Sequence, residues 1–372
     1  METTAAVLWP DSTEWTIEPV RLDPPGAGEV LVRMVAAGLC HSDAHLVHGG
    51  YAGLRRPIVG GHEGAGVVEA VGDGVTSLRP DDHVVLSYMP SCGCCSACTA
   101  GMQHLCERGQ FIGQGFQLAD GTARHHARGE DLSLFCLLGA FAGHTVVHEA
   151  SCVRVDSSLP LDELCILGCA GVTGWGAAVH TAGVRPGHTT MVVGVGGIGA
   201  MAIKGARAAG AAQVIAIDPV PGKRTAAVAL GADRAFESMA AALEPVRDLT
   251  EGRMANQAIM AIGVGDGRLL AQALALVGKQ GRVVIVNVHP DEESTASVQL
   301  KDLQAYEKQV VGCLGGTWPP RRGIAELADL RARGRLQLDD VVTARYALAD
   351  LRQGYVDLAA GVNLRGVVTQ FE

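Results

Sequence analysis

The sequence predicts an α/β protein in which a doubly wound parallel sheet is joined to a second, mainly β domain. The chain has 372 residues, of which 48% are hydrophobic and 19% charged, a composition typical of about two compact domains. Residues 1–170 contain short strand-like runs separated by Gly and Pro, as in β-rich domains. Residues 171–314 alternate apolar runs with Ala-rich stretches, which predicts βαβ units. Residues 315–372 are expected to return to the first domain.

In the β-rich part, strands are predicted at 30–36, 66–71 and 82–87, where Val and Leu are frequent. In the α/β part, continuous apolar runs predict buried strands at 190–194, 213–218, 257–262 and 281–286. Helices are predicted at 198–211, 223–230 and 324–333, the last ending before Gly334. Short strand-like pieces are expected from there to the end of the chain.

Charge and hydropathy exclude several classes of protein. The formal net charge is −9 and the pI is about 5.8, and no basic stripe is present, so a nucleic-acid partner is not expected. No run of 18 apolar residues predicts a membrane span. The first ten residues lack a basic start followed by an apolar core, so no signal peptide is expected and we predict a cytoplasmic protein.

Four cysteines in one short segment predict a structural metal site. Cys92, Cys95, Cys98 and Cys106 follow the pattern Cys-x2-Cys-x2-Cys-x7-Cys in a lobe at about 91–107. Four thiolates fill a tetrahedral zinc ion and leave no position open for catalysis. Cys94 is an extra thiol within the lobe, and choosing it in place of Cys95 would break the regular spacing. We therefore expect Cys94 to remain without metal.

A glycine-rich turn predicts a dinucleotide site of the Rossmann type. The segment GVGGIG, which contains Gly194, Gly196, Gly197, Ile198 and Gly199, follows a predicted strand and opens a predicted helix. That helix start offers free N–H groups to a pyrophosphate. Asp218 ends the next strand, where a carboxylate binds ribose hydroxyls and repels a 2′-phosphate, so NAD is favoured over NADP. Lys223 is a further candidate ribose contact. The alternative is a glycine-rich turn in a non-binding α/β fold.

Cys40, His62 and Cys169 are candidates for a second metal site, since two Cys and one His leave a zinc ion with an open position. Spacing alone does not select these residues. Cys169 is equally compatible with a core position, and His62 with an ordinary hydrogen-bonded histidine.

The order of the motifs resembles that of the zinc-containing medium-chain alcohol dehydrogenases. The segment GHEGAGVVE at 61–69, the four-cysteine lobe, Cys169 and the GVGGIG turn occur in the same order as in that family, over nearly the whole chain. Within the family, the chain is similar to actinobacterial alcohol dehydrogenases that depend on nitrosodimethylaniline and hold their nicotinamide cofactor tightly. The resemblance implies that the β-rich part is a GroES-like catalytic domain.

The resemblance also implies roles for individual residues. Cys40, His62 and Cys169 would hold a catalytic zinc, giving two zinc ions per chain with the lobe. Ser42 would accept the alcohol proton, and His45 would pass it to solvent through the cofactor ribose. Asp43 would orient His62, a role that metal-bound histidines usually require, and Glu63 would ligate the metal transiently. His41 and Arg365 would contact the pyrophosphate.

The function implied is interconversion of alcohols with aldehydes or ketones by hydride transfer to or from NAD. Tight cofactor binding in the similar enzymes suggests an external electron acceptor, and the family implies a homodimer or homotetramer paired near 310–314. Oxidation of a thiol adduct of formaldehyde is an alternative that shares nearly every motif. A non-catalytic, zinc-bearing nucleotide-binding protein is a second alternative, but it would not require the Ser42–His45 proton path.

Alignment with the family also suggests residues that border the substrate and the nicotinamide. By alignment with the family, Tyr51 and Tyr88 would border the substrate pocket, with core packing as the equal alternative. Asn287 stands where many relatives have a small residue facing the nicotinamide. His125, His126 and His144 are interpreted as loop or surface histidines and not as metal ligands.

Overall fold

The computed structural model describes residues 1–48, 53–288 and 295–372. The chain divides into two compact units, one formed by Met1–Cys169 with Pro319–Glu372 and the other by Ala170–Trp318. The first boundary lies one residue before the expected end of the β-rich domain, and the second lies four residues after the expected end of the nucleotide domain.

The first unit is built mainly from strands. Before residue 170 these are β1 (Glu2–Leu8), β2 (Thr16–Leu22), β3 (Glu29–Gly38), β4 (Ile58–Val59), β5 (Gly64–Val71), β6 (His83–Leu86), β7 (His125–Ala127), β8 (Glu130–Leu134), β9 (His144–His148) and β10 (Cys152–Arg154). The α-helices are short: α1 (His41–Val47), α2 (Ser96–Thr99) and α3 (Leu161–Leu164). Further 3-10 helices span Gln103–Leu105, Glu107–Gly113, Phe135–Leu137, Glu149–Ser151 and Cys165–Gly168.

The second unit alternates helices and strands. They are α4 (Ala170–Gly176), β11 (Thr189–Val193), α5 (Gly197–Ala208), β12 (Gln213–Ile217), α6 (Pro221–Ala229), β13 (Arg234–Phe236), α7 (Met239–Leu249), β14 (Ala255–Met260), α8 (Gly267–Leu276), β15 (Val277–Ile285), α9 (Leu300–Ala305) and β16 (Gln309–Gly312). A π-helical segment spans Ala177–Thr181, and a 3-10 helix spans Gly315–Thr317. After it, the chain re-enters the first unit with α10 (Pro320–Ala332), β17 (Val342–Ala347), a 3-10 helix (Leu348–Asp350), α11 (Leu351–Ala360) and β18 (Arg365–Gln370).

Strand pairing gives each unit its architecture. In the first unit, β1-β2-β7-β8-β4 form a closed barrel, while β10-β6-β5-β3-β18-β17 form a sheet to which β9 adds by pairing with β3. In the second unit, the order is β13-β12-β11-β14-β15-β16, and every neighbouring pair is parallel. This is the doubly wound order 3-2-1-4-5-6, with its switch point beside the first strand.

Apolar side chains explain why these strands are stable. The sheet of the first unit packs around the fully buried Phe141, Leu39 and Leu86. The parallel strands of the second unit are buried on both faces, for example at Met191 and Ile215. Their continuous Val, Ile and Met content reflects that burial.

The predicted fold class is confirmed, and the predicted strands and helices overlap the observed ones. The strand-like pieces expected after Gly334 are present as β17 and β18, but the sequence analysis does not predict the helix α11 that lies between them. The Ala and Gly of this segment blur its helical periodicity, and Gly361 ends the helix in a left-handed conformation with φ 69°. Among the described residues, no single helix is long and apolar enough to cross a membrane, and only the bent pair 161–168 and 170–181 meets that test by length and composition.

The three histidines expected in loops or on the surface lie in strands. His125 is fully buried in β7, and its neighbour His126 lies 2.8 Å from both Asp23 and Asp131. His144 begins β9. The segment His-His-Ala lacks the apolar alternation by which short strands are recognised, so no local pattern predicts that it belongs to a barrel.

Candidate metal centres and nucleotide site

The four-cysteine lobe has the geometry of a closed metal site. The sulfur atoms of Cys92, Cys95, Cys98 and Cys106 all lie within 4.8 Å of one another. Cys92 Sγ is 3.9 Å from Cys98 Sγ, and Cys95 Sγ is 3.9 Å from Cys106 Sγ. Zn–S bonds of about 2.3 Å in a tetrahedron place sulfur atoms about 3.8 Å apart. The four thiols therefore fit a zinc ion without rearrangement.

Backbone N–H groups support these thiolates. The N–H groups of Cys92, Cys95 and Cys98 point at Cys106 Sγ, Cys92 Sγ and Cys95 Sγ at 3.4, 3.4 and 3.5 Å. Hydrogen bonds from the backbone at Cys94 and Cys95 lower the pKa of Cys92 to about 6. Cys94 is exposed and lies 3.7 Å from Cys92 Sγ, but it does not belong to the group of converging sulfur atoms.

A second group of ligands converges in the interior of the first unit. One ligand atom each from Cys40, His62, Glu63 and Cys169 lies within 4.8 Å of the others, and all four side chains are buried. Two thiols and one imidazole form a ligand set that suits zinc. In this group the carboxylate of Glu63 offers a further oxygen. The residues present therefore fit a zinc ion at this centre too.

Local structure brings the four ligands together from distant parts of the sequence. Cys40 caps the N-terminus of α1, directly after β3. His62 and Glu63 precede β5, which pairs with β3 and returns them to Cys40. Cys169 follows the 3-10 helix Cys165–Gly168, where Gly168 passes so close to Leu86 O that a side chain would collide with it.

Asp43, on α1 close to Cys40, contacts the segment that carries His62. Its buried carboxylate accepts a hydrogen bond from Gly61 N at 2.9 Å. The other carboxylate oxygen lies 3.0 Å from His62 Nδ1, which is an ion-pair distance, although the two atoms are not aligned for a regular hydrogen bond. Burial lowers the pKa of His62, but the negative charges of Asp43 and the nearby thiols outweigh it and raise that pKa.

Arg365 provides the positive charge of this buried centre. Arg365 Nη2 lies 3.2 Å from Glu63 Oε1, and Nη1 donates to Leu39 O at 2.6 Å. Burial would lower the pKa of Arg365, but the opposing effects of Glu63 and of the Cys40 and Cys169 thiols are larger. The pKa of Arg365 is therefore raised above its ordinary value. The guanidinium therefore remains charged and balances part of the negative charge of the ligands.

The two thiols interact directly. Their hydrogen bond lowers the pKa of Cys40 well below its usual value and raises the pKa of Cys169. These opposite shifts mean that Cys40 loses its proton more readily than Cys169, which keeps a proton until a metal ion displaces it. The proton is released when a metal ion binds, because both sulfur ligands must then be deprotonated.

The predicted relay residues lie on α1 beside the metal centre. Ser42 Oγ is 3.7 Å from Cys40 Sγ. His45 lies one turn further along the helix, and its Nε2 atom is buried with no hydrogen-bond partner in the described part of the chain. His41 is the first residue of the same helix and is partly exposed.

Aromatic side chains border His62, and sequence reasoning missed one of them. The ring of Phe135 lies 5.3 Å from that of His62 at 87°, and Tyr88 lies 6.3 Å away at 90°. Phe135 precedes Cys136, which has the unusual φ of 53°, and nothing in the local sequence marks this bend. The predicted pocket residue Tyr51 lies outside the described residues.

The nucleotide fingerprint has the expected backbone geometry in the second unit. Gly194 follows β11 with φ 92°, and a Cβ atom there would meet Ala261 O at 2.6 Å. Gly199 touches Gly194 O so closely that any side chain would collide with it. Gly196 caps α5 and has open space around it, while Gly197 and Ile198 form the first turn of that helix. The N–H groups of this turn are suited to a pyrophosphate.

Asp218 lies at the end of β12, but it also has a structural role. Its Oδ2 accepts a hydrogen bond from Val195 N at 2.8 Å, and Oδ1 accepts one from Val220 N at 2.9 Å. Each carboxylate oxygen can accept more than one hydrogen bond, so both can still accept ribose hydroxyls. Lys223 lies in the first turn of α6 and is partly exposed. Asn287 follows β15, and its backbone N–H donates to Met260 O at 3.2 Å.

The fold and the two sulfur-rich centres define a zinc-binding dehydrogenase. The family models named Alcohol dehydrogenase GroES-like domain and Zinc-binding dehydrogenase match residues 26–157 and 197–332. The chain is 44% identical to putative alcohol dehydrogenase D of Mycobacterium tuberculosis, over 99% of this chain and 100% of that protein. It is also 44% identical to the NDMA-dependent alcohol dehydrogenase of Amycolatopsis methanolica, over 99% of both proteins. The chain therefore belongs to the zinc-containing medium-chain alcohol dehydrogenase family.

Solved structures agree with this family. An alcohol dehydrogenase zinc-binding domain protein from Burkholderia ambifaria has a TM-score of 0.92 and 33% identity, over 100% of this chain and 99% of that one. Benzyl alcohol dehydrogenase from Acinetobacter calcoaceticus has a TM-score of 0.89 and 29% identity, with the same coverage. The predicted family and the general function of a zinc-dependent alcohol dehydrogenase are confirmed.

Proposed function

We propose that this alcohol dehydrogenase uses NAD and two zinc ions per chain, one at each group of converging ligands. The observation that carries the proposal is the convergence of Cys40, His62 and Cys169 beside Ser42 in the interior of one unit. Three such ligands characterise a catalytic zinc site, whereas four cysteines characterise a structural one. The reaction interconverts an alcohol with an aldehyde or ketone.

Each residue of the proposed catalytic centre has a separate role. When bound, zinc stabilises negative charge on an alcohol oxygen and NAD accepts hydride from the alcohol carbon. Asp43 fixes the orientation of His62 through the contacts described above. Arg365 Nη2 lies 3.2 Å from Glu63 Oε1 and holds that carboxylate beside the other ligand atoms, where it would serve as an alternative ligand to a bound zinc ion.

Proton removal belongs to the α1 residues. The hydroxyl of Ser42 lies at the edge of the ligand group, where it would accept the alcohol proton and donate its own. His45 would pass the proton on toward solvent, which is consistent with its buried and unpartnered Nε2 atom. A protein that only binds nucleotide has no need for this arrangement, and no observation favours the formaldehyde-adduct reaction over simple alcohol oxidation.

The choice of NAD depends on Asp218. A carboxylate at the end of β12 accepts both ribose hydroxyls and repels a 2′-phosphate. We further propose that Gly194, Gly196, Gly197, Ile198 and Gly199 form the pyrophosphate cradle, with contacts from Lys223 to the ribose and from His41 and Arg365 to the pyrophosphate. Arg365 Nε is buried without a hydrogen-bond partner among the described residues, which leaves a donor available.

Three properties extend the proposal beyond the reaction itself. The Amycolatopsis relative is named as NDMA-dependent, and we propose that an external acceptor re-oxidises a tightly bound cofactor in this chain too. We propose a homodimer or homotetramer, paired along the 310–314 segment. The many reduced thiols suit a reducing compartment, so we propose that the protein is cytoplasmic.

The proposal is tested by metal analysis combined with turnover. The purified protein should contain two zinc ions per chain and should show absorbance from bound NADH after addition of an oxidisable alcohol. A panel of alcohols is then assayed with NAD, with NADP and with nitrosodimethylaniline. One zinc per chain, together with no turnover on any alcohol or aldehyde, would contradict the catalytic assignment.

Cys169→Ala provides the sharpest variant. It should lose one zinc ion and the turnover, yet retain NAD binding, because the nucleotide residues lie elsewhere. Cys152→Ala is the matched control, since Cys152 is a buried core thiol that belongs to neither group of converging ligands found among the described residues. It should keep both zinc ions, and a similar loss of zinc in both variants would point to general destabilisation instead.

A further inference from the structure

A groove of about 950 Å³ lies in the second unit, at the edge of the parallel sheet where the strands begin. Its lining includes Thr189, Ala255 and Val277, which are the first residues of β11, β14 and β15. The GVGGIG turn follows the opposite end of β11. Within the described part of the chain, none of the residues proposed to bind zinc or nucleotide lines the groove. The groove is therefore separate from the proposed NAD site.

Positive charge predominates in this groove, although the chain as a whole has a net charge of −9. Arg253, Lys279 and Lys308 line it, and Glu251 is the only carboxylate among the described lining residues. Glu251 Oε2 lies 3.8 Å from Arg253 Nη2, but these side chains are 84% and 76% exposed, so the ion pair contributes little. A concave surface with one sign of charge concentrates ions of the opposite sign. The groove is thus suited to an anion.

Lys308 is the most buried of the three cations, with a side chain that is 10% exposed. Its Nζ donates to Leu274 O at 2.8 Å and lies 3.2 Å from Asp302 Oδ2. An ammonium group has three donors, so one N–H is left for a ligand. Because Asp302 offsets the charge of Lys308, the preference for an anion depends mainly on Arg253 and Lys279.

The segments that carry these cations share an unusual backbone conformation. Nine non-glycine residues of the described chain have a positive φ. Four of them belong to these segments: Glu251 with φ 52°, Met254 with 63°, Gln280 with 57° and Glu307 with 51°. Residues with a Cβ atom avoid this conformation, which persists where the surroundings enforce it and is concentrated at ligand sites. The backbone strain therefore marks the same place as the charge.

Direct contacts hold the three segments beside one another. Gln280 N donates to Tyr306 O at 2.8 Å, and Gln280 Nε2 donates to Glu307 Oε2 at 2.8 Å. Gly278 packs so tightly against Arg253 O that any side chain would collide with it. The backbone positions of the three cations are thus fixed before a ligand arrives, which lowers the entropic cost of binding.

The rest of the lining offers contacts to the body of an organic ligand. Leu249, Ala275 and Val277 contribute apolar surface, and Gln213 and Asn256 contribute neutral polar groups. The volume lies at the upper end of the range for small-molecule sites. A ligand larger than a simple inorganic anion is therefore accommodated.

We propose that this groove binds an organic anion that carries two or more phosphate or carboxylate groups. Arg253 and Lys279 contact the anionic groups through charge-assisted hydrogen bonds, and Lys308 supplies a further donor. The apolar lining contacts the carbon skeleton of the ligand. The site does not depend on the proposed reaction, because it shares no residue with the metal centres or the nucleotide turn.

Two matched probes test the proposal: propane-1,3-bisphosphonate and glutarate. Both join two anionic groups through three methylene groups, and neither carries an alcohol, aldehyde or ketone. Calorimetric titration of the full, zinc-loaded protein is performed with excess NAD, which keeps the nucleotide site filled. At least one probe should bind at one site per chain, with a Kd that rises as NaCl is added. The ratio of the two Kd values shows whether phosphate or carboxylate is preferred, and propylphosphonate, with one anionic group, should bind more weakly.

Lys279→Ala should raise the Kd about tenfold, because one charge-assisted hydrogen bond is lost. Lys301→Ala is the matched control, since Lys301 is an exposed lysine of the same unit that does not line the groove. Ala275→Trp should block the groove from the exposed face of α8. Ala271→Trp is its control, one turn earlier on the same helix and also exposed, but outside the lining.

The two pairs of variants make the outcome decisive. Lys279→Ala changes only an exposed side chain, so it locates the site even if circular dichroism shows that Ala275→Trp is misfolded. The proposal is overturned if the wild type binds neither probe, or if Lys279→Ala binds them as tightly as the wild type. It is also overturned if Lys301→Ala and Ala271→Trp weaken binding as much as the variants that they control.

Discussion

At the scale of single residues, the catalytic centre combines groups that are costly to bury. Asp43, Glu63 and Arg365 are almost completely inaccessible to solvent, and burial of an unpaired charge would be strongly unfavourable. Each is stabilised by a specific partner: Gly61 N for Asp43, and the Glu63–Arg365 pair for the other two. Such buried charges are typical of a site where position and charge must be controlled.

Ser42 offers a direct test of the proton relay. Ser42→Ala removes the hydroxyl but leaves the zinc ligands intact, so we expect kcat to fall by about 10²- to 10⁴-fold, the usual contribution of a general acid–base group. Zinc content should not change. Ser42→Thr retains a hydroxyl and should recover most of the activity. Normal turnover in Ser42→Ala would show that the proton leaves by another route.

His125 makes the fold sensitive to acid. Burial, together with the positive charge of His126, lowers the pKa of His125 to about 3, although the negative charge of Asp23 opposes this shift. The unfolded side chain has a pKa of about 6.5, so below that pH the unfolded chain binds a proton that the folded chain does not. Stability should therefore fall between pH 6.5 and 3, by at most about 1.4 kcal/mol per pH unit from this residue.

His125→Leu should reduce this pH dependence. Both ring nitrogens of His125 lack hydrogen-bond partners in the described part of the chain, so an apolar side chain loses no polar contact there. Urea unfolding at pH 7 and pH 5 measures the difference in free energy of unfolding. The variant should lose less stability than the wild type between the two values, and equal losses would contradict the account of His125.

At the scale of elements, the turn between β11 and α5 is the most constrained part of the second unit. The backbone of α5 approaches Gly194 O so closely at Gly199 that no side chain fits. Asp218 then ties the turn to the end of β12 through Val195 N. The same close packing that forms the helix N-terminus leaves Gly196 open to a phosphate.

Gly199→Ala tests this packing. The added methyl group must displace the turn or the helix, which costs about 1–3 kcal/mol in a well-packed interior, and we expect NAD affinity to fall together with the Tm. Gly222→Ala is the matched control, since Gly222 lies in α6 with open space around its Cα. Calorimetric titration with NAD distinguishes the two, and equal affinities would contradict the proposed role of the turn.

At the scale of the whole molecule, the net charge of −9 opposes nonspecific association, so assembly requires a specific surface. β16 pairs with β15 on one side and forms an edge of the parallel sheet within the described residues. Leu314, which follows this strand, is 45% exposed. An unpaired edge with an exposed apolar residue is suited to pairing with another chain.

On the proposed pairing along residues 310–314, Leu314→Glu should shift the protein toward the monomer, because a charge placed in an apolar interface is left without a partner. The matched control is Val228→Glu. The Val228 side chain is exposed to a similar degree, 51%, but it lies on α6, which connects β12 and β13 at the opposite end of the sheet from β16. Light scattering coupled to size exclusion gives the mass of each variant. A mass equal to that of the wild type in Leu314→Glu would contradict the proposed pairing along this edge.

The sequence by itself determined the class of fold and the structural lobe, because both depend on local patterns. Continuous apolar strands, the GVGGIG turn and the spacing of Cys92 to Cys106 are short-range features, so neighbouring residues suffice to recognise them. The helix α11 escaped prediction since its Ala and Gly carry little periodicity. The position of His125 in a strand is not predicted, because its neighbours in the sequence do not alternate between apolar and polar residues.

The tertiary structure alone decided the second metal centre and the aromatic packing of the first unit. Cys40, His62 and Cys169 are separated by long stretches of chain, and only the pairing of β3 with β5 and the bend after Gly168 bring them within 4.8 Å of one another. Family resemblance indicated these residues, but the backbone path supplies the physical reason. Likewise, Phe135 packs against His62, and Trp15 packs against Phe141, through long-range contacts that no local pattern in the sequence records.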